Sequence, residues 1–362
     1  MQKQGLSSLA LQKFKKSFWG VFSFWFIMFM AFISVFAYVL APDSSQYSNQ
    51  MHLSIHSKPP GFTVPILVVP NSLNEDQNFF NRIFFGDANP ATEIPISTHR
   101  FDLTNIYYTT YASDGLKGLE NSVEIPLNSP MSSRPIVTQR MFYFGTDKYG
   151  RDLLSRILVG ARISFSIGFV AVFISLLIGV FLGIIAGYFG GKWDAVIMWV
   201  INVTWSIPTL LLVIAITLAL GKGFWQVFIA VGLTMWVEVA RIVRGQVMSV
   251  KEMQYVTAAR ALGFTDFRII VKHILPNILA PVIVISAANF AAAILIESGL
   301  SFLGIGAQPP MSSWGAMIKD HYNYIIVGKP YLALIPGLCI MSLVMAFMLI
   351  GNTLRDALDV KA

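Results

Sequence analysis

The chain has 362 residues, of which 55% are hydrophobic and only 12% are charged, with a mean hydropathy of +0.63. Soluble domains carry about a quarter charged residues, so this composition indicates an integral membrane protein instead of a soluble one. The net charge of +7 requires no nucleic-acid partner, because cytoplasmic loops of membrane proteins collect Lys and Arg.

The N-terminal part predicts a short tail, one span and a polar domain. Residues 1–16 form a basic cytoplasmic tail, and the nearly uncharged residues 17–40 can cross a bilayer of about 30 Å as transmembrane helix 1. A cleaved signal peptide is the competing interpretation, but the apolar region of a signal peptide is only about 7–15 residues long. Residues 41–140 contain no segment able to span a membrane. Their prolines and partial period-two alternation predict a β-containing extracytoplasmic domain.

Residues 141–362 predict a membrane core with five further transmembrane helices. The apolar runs lie at about 163–188, 195–220, 224–243, 278–300 and 331–350. Six spans place both termini on the same side of the membrane. The polar loop at 249–277 and its surroundings carry a basic cluster, which places this side in the cytoplasm. That cluster consists of Arg241, Arg244, Lys251, Arg260, Arg268 and Lys272.

The loop at 249–277 is a charged island between apolar runs. Ser249 and Glu252 have the spacing of a capping box, which predicts that a first helix begins there. Gly263 is placed to end that helix in a left-handed conformation. Thr265 is placed to cap a second helix, and Pro276 is expected to stop it. We therefore predict a compact, basic helical hairpin that acts as a docking element.

Polar residues within the predicted spans are candidates for a translocation pathway. Ionisable groups at membrane depth usually face a protein interior or a water-filled cavity. Glu297 is either a pathway residue that meets a cationic group of a substrate or a neutral partner in a helix-packing hydrogen bond. The polar patch before Pro208 either lines a cavity or is an internally satisfied kink. The pathway candidates are Glu297, Asn289, Glu238, Asn202 and Ser206.

A stripe of glycines marks the second span. Gly179, Gly183 and Gly187 are spaced by four residues and therefore share one helix face. Small residues allow helix backbones to approach closely, so we expect this face to pack against another helix. The alternative is a sliding surface along a pathway.

Motifs of common enzymes are absent from the sequence. The chain has no G-x-x-x-x-G-K-[ST] phosphate loop, no H-E-x-x-H and no G-x-S-x-G. Its five histidines have no metal-ligand spacing. We therefore expect no catalytic residues, no metal site and no cofactor in this chain.

Seven segments occur in the order in which one known family carries them. They are FGTDKYGRDLLSRILVGARIS, AGYFGGKWD, IPTLLLVIA, RIVRGQVMSVKEMQYV, YVTAARALGFTDFRIIVKHILPN, ESGLSFLGIGAQPPMSSWG and GNTLRDALD. These segments resemble ABC importer permeases, and most closely the C-type permease subunit of dipeptide and oligopeptide importers. The resemblance is close over residues 140–362 and loose over residues 1–40.

This resemblance implies an all-α, six-span permease of the type I ABC importer fold, with the β-containing domain as an insertion after helix 1. It implies a multi-pass protein of a prokaryotic cytoplasmic membrane. The implied partners are a second homologous permease, two ATP-binding subunits that hydrolyse the ATP, and an extracytoplasmic substrate-binding protein. The hairpin resembles the coupling (EAA) loop that contacts the ATPase.

Two sets of residues match family motifs by position. The first set belongs to the coupling loop and consists of Glu252, Tyr255, Ala258, Ala259, Arg260, Gly263, Ile274, Leu275 and Pro276. The second set precedes helix 2 and consists of Gly145, Thr146, Asp147, Gly150, Arg151 and Asp152.

The chain also departs from the family pattern. Thr257 stands where the coupling loop usually has Glu, and Asn202 stands where relatives often have Asp. The segment 41–140 is longer than the usual connection and either contacts the binding protein or covers the partner permease. Peptides are the expected substrates, with nickel chelates or glutathione as alternatives. A stand-alone secondary transporter is a rival function, but it predicts an inverted repeat that the sequence does not display.

Overall fold

The computed structural model describes residues 6–71, 78–112, 116, 118–126, 134–221 and 223–358, with side chains from residue 10 onward. Five described helices are long and apolar enough to cross a membrane. They are α2 (Phe18–Val35), α5 (Leu153–Phe189), α8 (Phe224–Lys251), the helical segment Asp266–Phe302 and α13 (Tyr331–Leu358). A helix satisfies all its backbone hydrogen bonds internally, which a lipid environment requires.

Shorter helices complete the helical part. They are α1 (Leu6–Lys16), α3 (Ala37–Leu40), α4 (Phe79–Phe85), α6 (Gly191–Trp205), α7 (Thr209–Leu220), α9 (Gln254–Ala261), α10 (Asp266–Ile269) and α12 (Trp314–His321). After α10, a π-helical turn (Ile270–Ile274) leads into α11 (Leu275–Phe302). The chain forms two compact units, one of residues 1–30, 164–308 and 338–362 and the other of residues 31–163 and 309–337.

The predicted third span is bent instead of straight. Helices α6 and α7 meet at an angle of 92°, and the bent pair makes a sixth candidate span if it is counted as one span. The break lies at Ser206–Pro208, where the sequence predicted a kink. Pro208 has no N–H to donate and is the residue before the first turn of α7. The kink predicted at Pro208 is therefore confirmed, and the bend is large.

The glycine stripe of α5 packs against α8 within the first unit. An added Cβ at Gly179, Gly183 or Gly187 would lie only 2.5, 2.7 or 2.8 Å from a valine Cβ of α8. The three valines are Val239, Val243 and Val247, and all three are buried. This close approach confirms the packing interpretation of the stripe.

The second unit contains the predicted β-structure. Its strands are β1 (Phe62–Val69), β2 (Thr92–Phe101), β3 (Asn105–Thr110), β4 (Glu120–Glu124) and β5 (Ile136–Phe142). They form one antiparallel sheet in the order β4-β3-β2-β1-β5. Aliphatic side chains such as Leu67, Ile96 and Ile106 are buried on it. The last strand extends two residues beyond the predicted boundary at residue 140.

Candidate functional site

The polar loop folds as a helical hairpin around a glycine turn. Helix α9 ends at Ala261, and Gly263 adopts a φ of 76° before α10 begins at Asp266. The amide of Phe264 donates to the carbonyl oxygen of Ala259 at 3.1 Å, which closes the turn. The predicted left-handed glycine is therefore confirmed, because this conformation strains any residue that has a Cβ.

Both predicted ends of the hairpin are wrong. Helix α8 continues through Lys251, so Ser249 lies inside it and forms no capping box. Met253 precedes the first residue of α9, and its side chain accepts no capping hydrogen bond. Pro276 does not stop the second helix but lies at the start of α11, within the helical segment Asp266–Phe302. The π-helical turn before it keeps the chain helical.

Buried aliphatic residues fasten the hairpin to the membrane helices of its unit. Val256, Ala259, Ile269 and Ile274 belong to one core cluster with valines of α8 and with Tyr188 of α5. The hydroxyl of Tyr188 donates to Oδ1 of Asp266 at 2.6 Å. The hairpin is therefore packed against α5 and α8 and hydrogen-bonded to α5.

The opposite side of the hairpin exposes large apolar side chains. Leu262 and Phe267 flank the glycine turn and are 74% and 77% exposed. Tyr255 is also exposed, and Arg268 stacks on the ring of Phe264 at 4.1 Å. Exposed apolar residues with a basic rim are typical of an interface core and its border. Partial desolvation of its hydroxyl raises the pKa of Tyr255 above its usual value.

The remaining coupling-loop residues divide between the two sides. Glu252, Ala258, Arg260 and Pro276 are exposed, whereas Ile274 is buried and Leu275 is half-buried. Thr257, at the usual position of Glu, is exposed on α9 and lies 3.5 Å from the carbonyl oxygen of Met253.

Two pathway candidates are buried in the first unit. Glu297 accepts a hydrogen bond from the hydroxyl of Ser301 at 2.6 Å, and that hydroxyl accepts one from the amide of Ala307 at 3.0 Å. This chain of bonds fastens the end of α11 to the turn that follows, which supports the packing interpretation of Glu297. Asn289 is also buried, and its Nδ2 has no hydrogen-bond partner among the described residues.

The other three candidates lie on exposed surfaces. Glu238 is exposed on α8, and the hydroxyl of Ser206 donates to the carbonyl oxygen of Val203 at 2.7 Å. Oδ1 of Asn202 accepts a hydrogen bond from Arg241 at 3.0 Å. The guanidinium of Arg241 lies 3.6 Å from the ring centre of Trp205, in a cation–π contact. The sequence placed Arg241 only in a charge cluster, because nothing in it pairs positions so far apart.

The motif at 145–152, which directly precedes α5, forms a buried polar network in the second unit. Asp147 is fully buried and its Oδ2 lies 2.6 Å from Nε of Arg151 and 3.6 Å from Nε of Arg156. Its Oδ1 accepts hydrogen bonds from the amides of Tyr149 and Arg151. The buried carboxylate therefore fixes the turn and holds two arginines.

Neighbouring residues of this motif stabilise the same turn through glycine conformations and hydrogen bonds. Gly145 and Gly150 have φ values of 77° and 74°, and a Cβ at Gly150 would overlap the backbone of His52. Thr146 donates to the carbonyl oxygen of Ile55 and accepts from the amide of Lys58. Asp152 accepts from the amide of Ser155, and burial raises the pKa of the Asp152 carboxyl.

His321 of α12 closes this network from the other side. Its Nε2 lies 3.3 Å from the amide nitrogen of Lys148, and its Nδ1 lies 2.8 Å from the carbonyl oxygen of Met317. The two contacts together require a neutral ring with its proton on Nδ1. Burial lowers the pKa of His321, which favours the same state. Within the described part of the chain, no group of three or more His, Cys, Asp or Glu side chains is arranged to hold a metal.

Two family models match the sequence. The model described as "Binding-protein-dependent transport system inner membrane component" matches residues 179–361. The model described as "N-terminal TM domain of oligopeptide transport permease C" matches residues 5–60. All five strands lie outside both matched ranges.

Individual relatives agree with these matches. The oligopeptide transport permease OppC of Escherichia coli K12 is 45% identical over 64% of this chain and 76% of OppC. The dipeptide permease DppC of Alkalihalophilus pseudofirmus is 44% identical, and the glutathione permease GsiD of Escherichia coli O6:K15:H31 is 42% identical. Each of these two alignments covers 60% of this chain and 72% of the relative. Among solved structures, the inward-facing MetNI methionine ABC transporter is 18% identical with a TM-score of 0.47. That match covers 56% of this chain and 95% of the other.

Proposed function

This chain belongs to the binding-protein-dependent inner membrane transport components as a DppC/OppC-like ABC permease, and from this premise we propose that it forms half of the pathway of a peptide importer. The family match confirms the predicted resemblance, the fold class and the location in an inner membrane. The chain is a transport subunit, and ATP would be bound and hydrolysed by two separate partner subunits.

The exposed side of the hairpin is the surface proposed for the ATPase subunit. Leu262 and Phe267 are apolar groups that water solvates poorly, and a groove on a partner would remove them from water. The buried side carries the contacts to α5 and α8, so motion of the partner would move those helices. This two-sided arrangement is the observation that carries the proposal, because it joins a free surface to the membrane helices.

Peptides are the proposed substrates because the relatives include OppC and DppC permeases. Glutathione, which is itself a small peptide, is favoured as a narrower alternative by the 42% identity to GsiD. A second permease would complete the pathway, and a substrate-binding protein would deliver the peptide from outside. Both termini would then be cytoplasmic, and the sheet of the second unit would be extracytoplasmic.

The hairpin assignment is tested by making its exposed apolar residues polar. Leu262→Ser should weaken association with the ATPase subunits by about 10-fold or more, because burying a leucine stabilises a complex by about 1.5–3 kcal/mol. The matched control is Leu103→Ser, since Leu103 is 87% exposed in the turn after β2. Association is measured by titrating labelled ATPase subunits onto the reconstituted permease pair. Equal affinity for both variants and the parent would refute the assignment.

A further inference from the structure

An apolar groove lies between the N-terminal helices and the end of α13, all within the first unit. Its volume is about 390 Å³. The lining side chains include Leu11 and Phe14 of α1, Phe24 of α2, and Leu354 and Leu358 of α13. Every side chain that lines the groove is apolar. An occupant with backbone amides would leave its polar groups without partners there, which disfavours a peptide segment.

The α1 side of this groove is flanked by basic residues, whereas α13 carries one exposed basic and one exposed acidic residue there, Arg355 and Asp356. Helix α1 carries Lys13, Lys15 and Lys16 in its last turn, and all three are exposed. By helical periodicity, Lys13 and Lys15 flank the apolar face that Phe14 and Leu11 present. The sequence contains no acidic residue before Asp43. The occupant should therefore combine an apolar body with an anionic head.

The groove lies where two membrane spans end. Helix α2 begins one residue after Ser17, whose hydroxyl accepts a hydrogen bond from the amide of Gly20 at 3.2 Å. Gly20 packs on Thr353 of α13, since a Cβ at this glycine would overlap the threonine side chain. Trp19 is exposed beside this contact, as is usual for tryptophan at the boundary between lipid tails and headgroups. This depth allows an acyl chain to enter the groove while its headgroup stays at the level of the lysines.

We propose that this groove binds one acyl chain of an anionic phospholipid, whose headgroup is attracted by Lys13 and Lys15 on either side of the apolar face. The amphipathic helix α1 and the end of α13 would be joined by this lipid. Each long lysine side chain can run along the apolar surface and place its ammonium at the headgroup. The site rests on the membrane location of the chain and not on its substrate or its ATPase partners.

Native mass spectrometry of the detergent-solubilised full chain measures the binding directly. Dioleoyl phosphatidylglycerol and dioleoyl phosphatidylcholine serve as matched anionic and zwitterionic probes. The double variant Lys13→Gln, Lys15→Gln should weaken phosphatidylglycerol binding by roughly 30-fold, or about 5-fold for each lysine near an anionic group. The matched control Lys192→Gln, Lys319→Gln removes two other exposed lysines and should leave the binding unchanged.

A second variant tests the groove separately from the charge. Leu11→Gln keeps an exposed position helical and should weaken binding of the anionic lipid by about 3- to 10-fold. The proposal is overturned if the chain binds both lipids equally, if the control pair weakens binding as much as the α1 pair, or if Leu11→Gln has no effect. It is also overturned if assembly with the partner subunits abolishes binding, because the groove would then be a subunit interface.

Discussion

Gly263 gives a quantitative test of the hairpin, because its substitution affects only the backbone. An added Cβ meets no atom within 4 Å, so no side-chain clash contributes. The φ of 76° lies in the left-handed region, which costs an L-residue about 1–2 kcal/mol. This strain shifts the equilibrium away from the native turn by a factor of about 5 to 30. Asn tolerates the region best, Ala less well and β-branched Val worst.

Uptake by the reconstituted importer should therefore fall in the order Gly, Asn, Ala, Val at position 263, with the Val variant reduced by up to about 30-fold. The measurement is ATP-driven uptake of a labelled dipeptide into proteoliposomes that contain the binding protein. Nucleotide binding to the ATPase subunits serves as the control and should stay constant. Normal uptake and normal binding-protein-stimulated ATPase activity in Gly263→Val would refute the reasoning, and so would an Asn variant as impaired as Val.

Three further predictions concern other parts of the chain. Gly183→Ala should lower the unfolding temperature by several degrees, because the added Cβ would lie 2.7 Å from the Cβ of the buried Val243. The control Gly245→Ala should raise the unfolding temperature slightly, because this helical glycine has no atom within 4 Å of the added Cβ. The free energy of unfolding should fall as the pH drops below about 6.5, because His321 in the unfolded chain binds a proton at a higher pH than the buried ring in the folded chain. The pH dependence of thermal unfolding should therefore be smaller in His321→Gln. If Glu297 reads substrate charge, Glu297→Gln should alter uptake of cationic peptides more than of neutral ones, whereas the hydrogen bond to the end of α11 predicts equal effects on both.

The hairpin has one buried side and one exposed side, which the proposed function assigns to force transfer and to assembly. Val256 and Ile269 point into the core that contains Tyr188, while Leu262 and Phe267 remain exposed. Because protein interiors are close-packed, a displacement of the exposed residues of the hairpin would also displace its buried residues. The Tyr188–Asp266 hydrogen bond adds a directional contact between α5 and the second hairpin helix. Under the proposed function, a partner that moves this hairpin would move the membrane helices packed against it.

The sequence alone determined the features that depend on local chemistry. Long apolar runs predicted the spans, since no other local conformation satisfies a backbone in lipid. Gly263 and Pro208 predicted a left-handed turn and a helix break, because each restricts its own backbone dihedral angles in a known way. The short apolar stretch around Phe62–Val69 predicted a strand for the same local reason, because its prolines favour an extended conformation. The ordered motifs, as a resemblance, predicted the permease family.

Tertiary structure decided the features that depend on partners distant in the sequence. The capping pattern at Ser249 was overridden, because packing of the α8 valines carries that helix through Lys251. Pro276 proved compatible with a continuing helix, which passes through a π-helical turn immediately before it. The contacts of Asp147 with Arg156, of Asn202 with Arg241 and of Tyr188 with Asp266 join segments whose pairing no local pattern specifies. Local dihedral preferences act over a few residues and can therefore be predicted from the sequence. Burial and side-chain pairing depend on the whole chain, so the tertiary structure decides them.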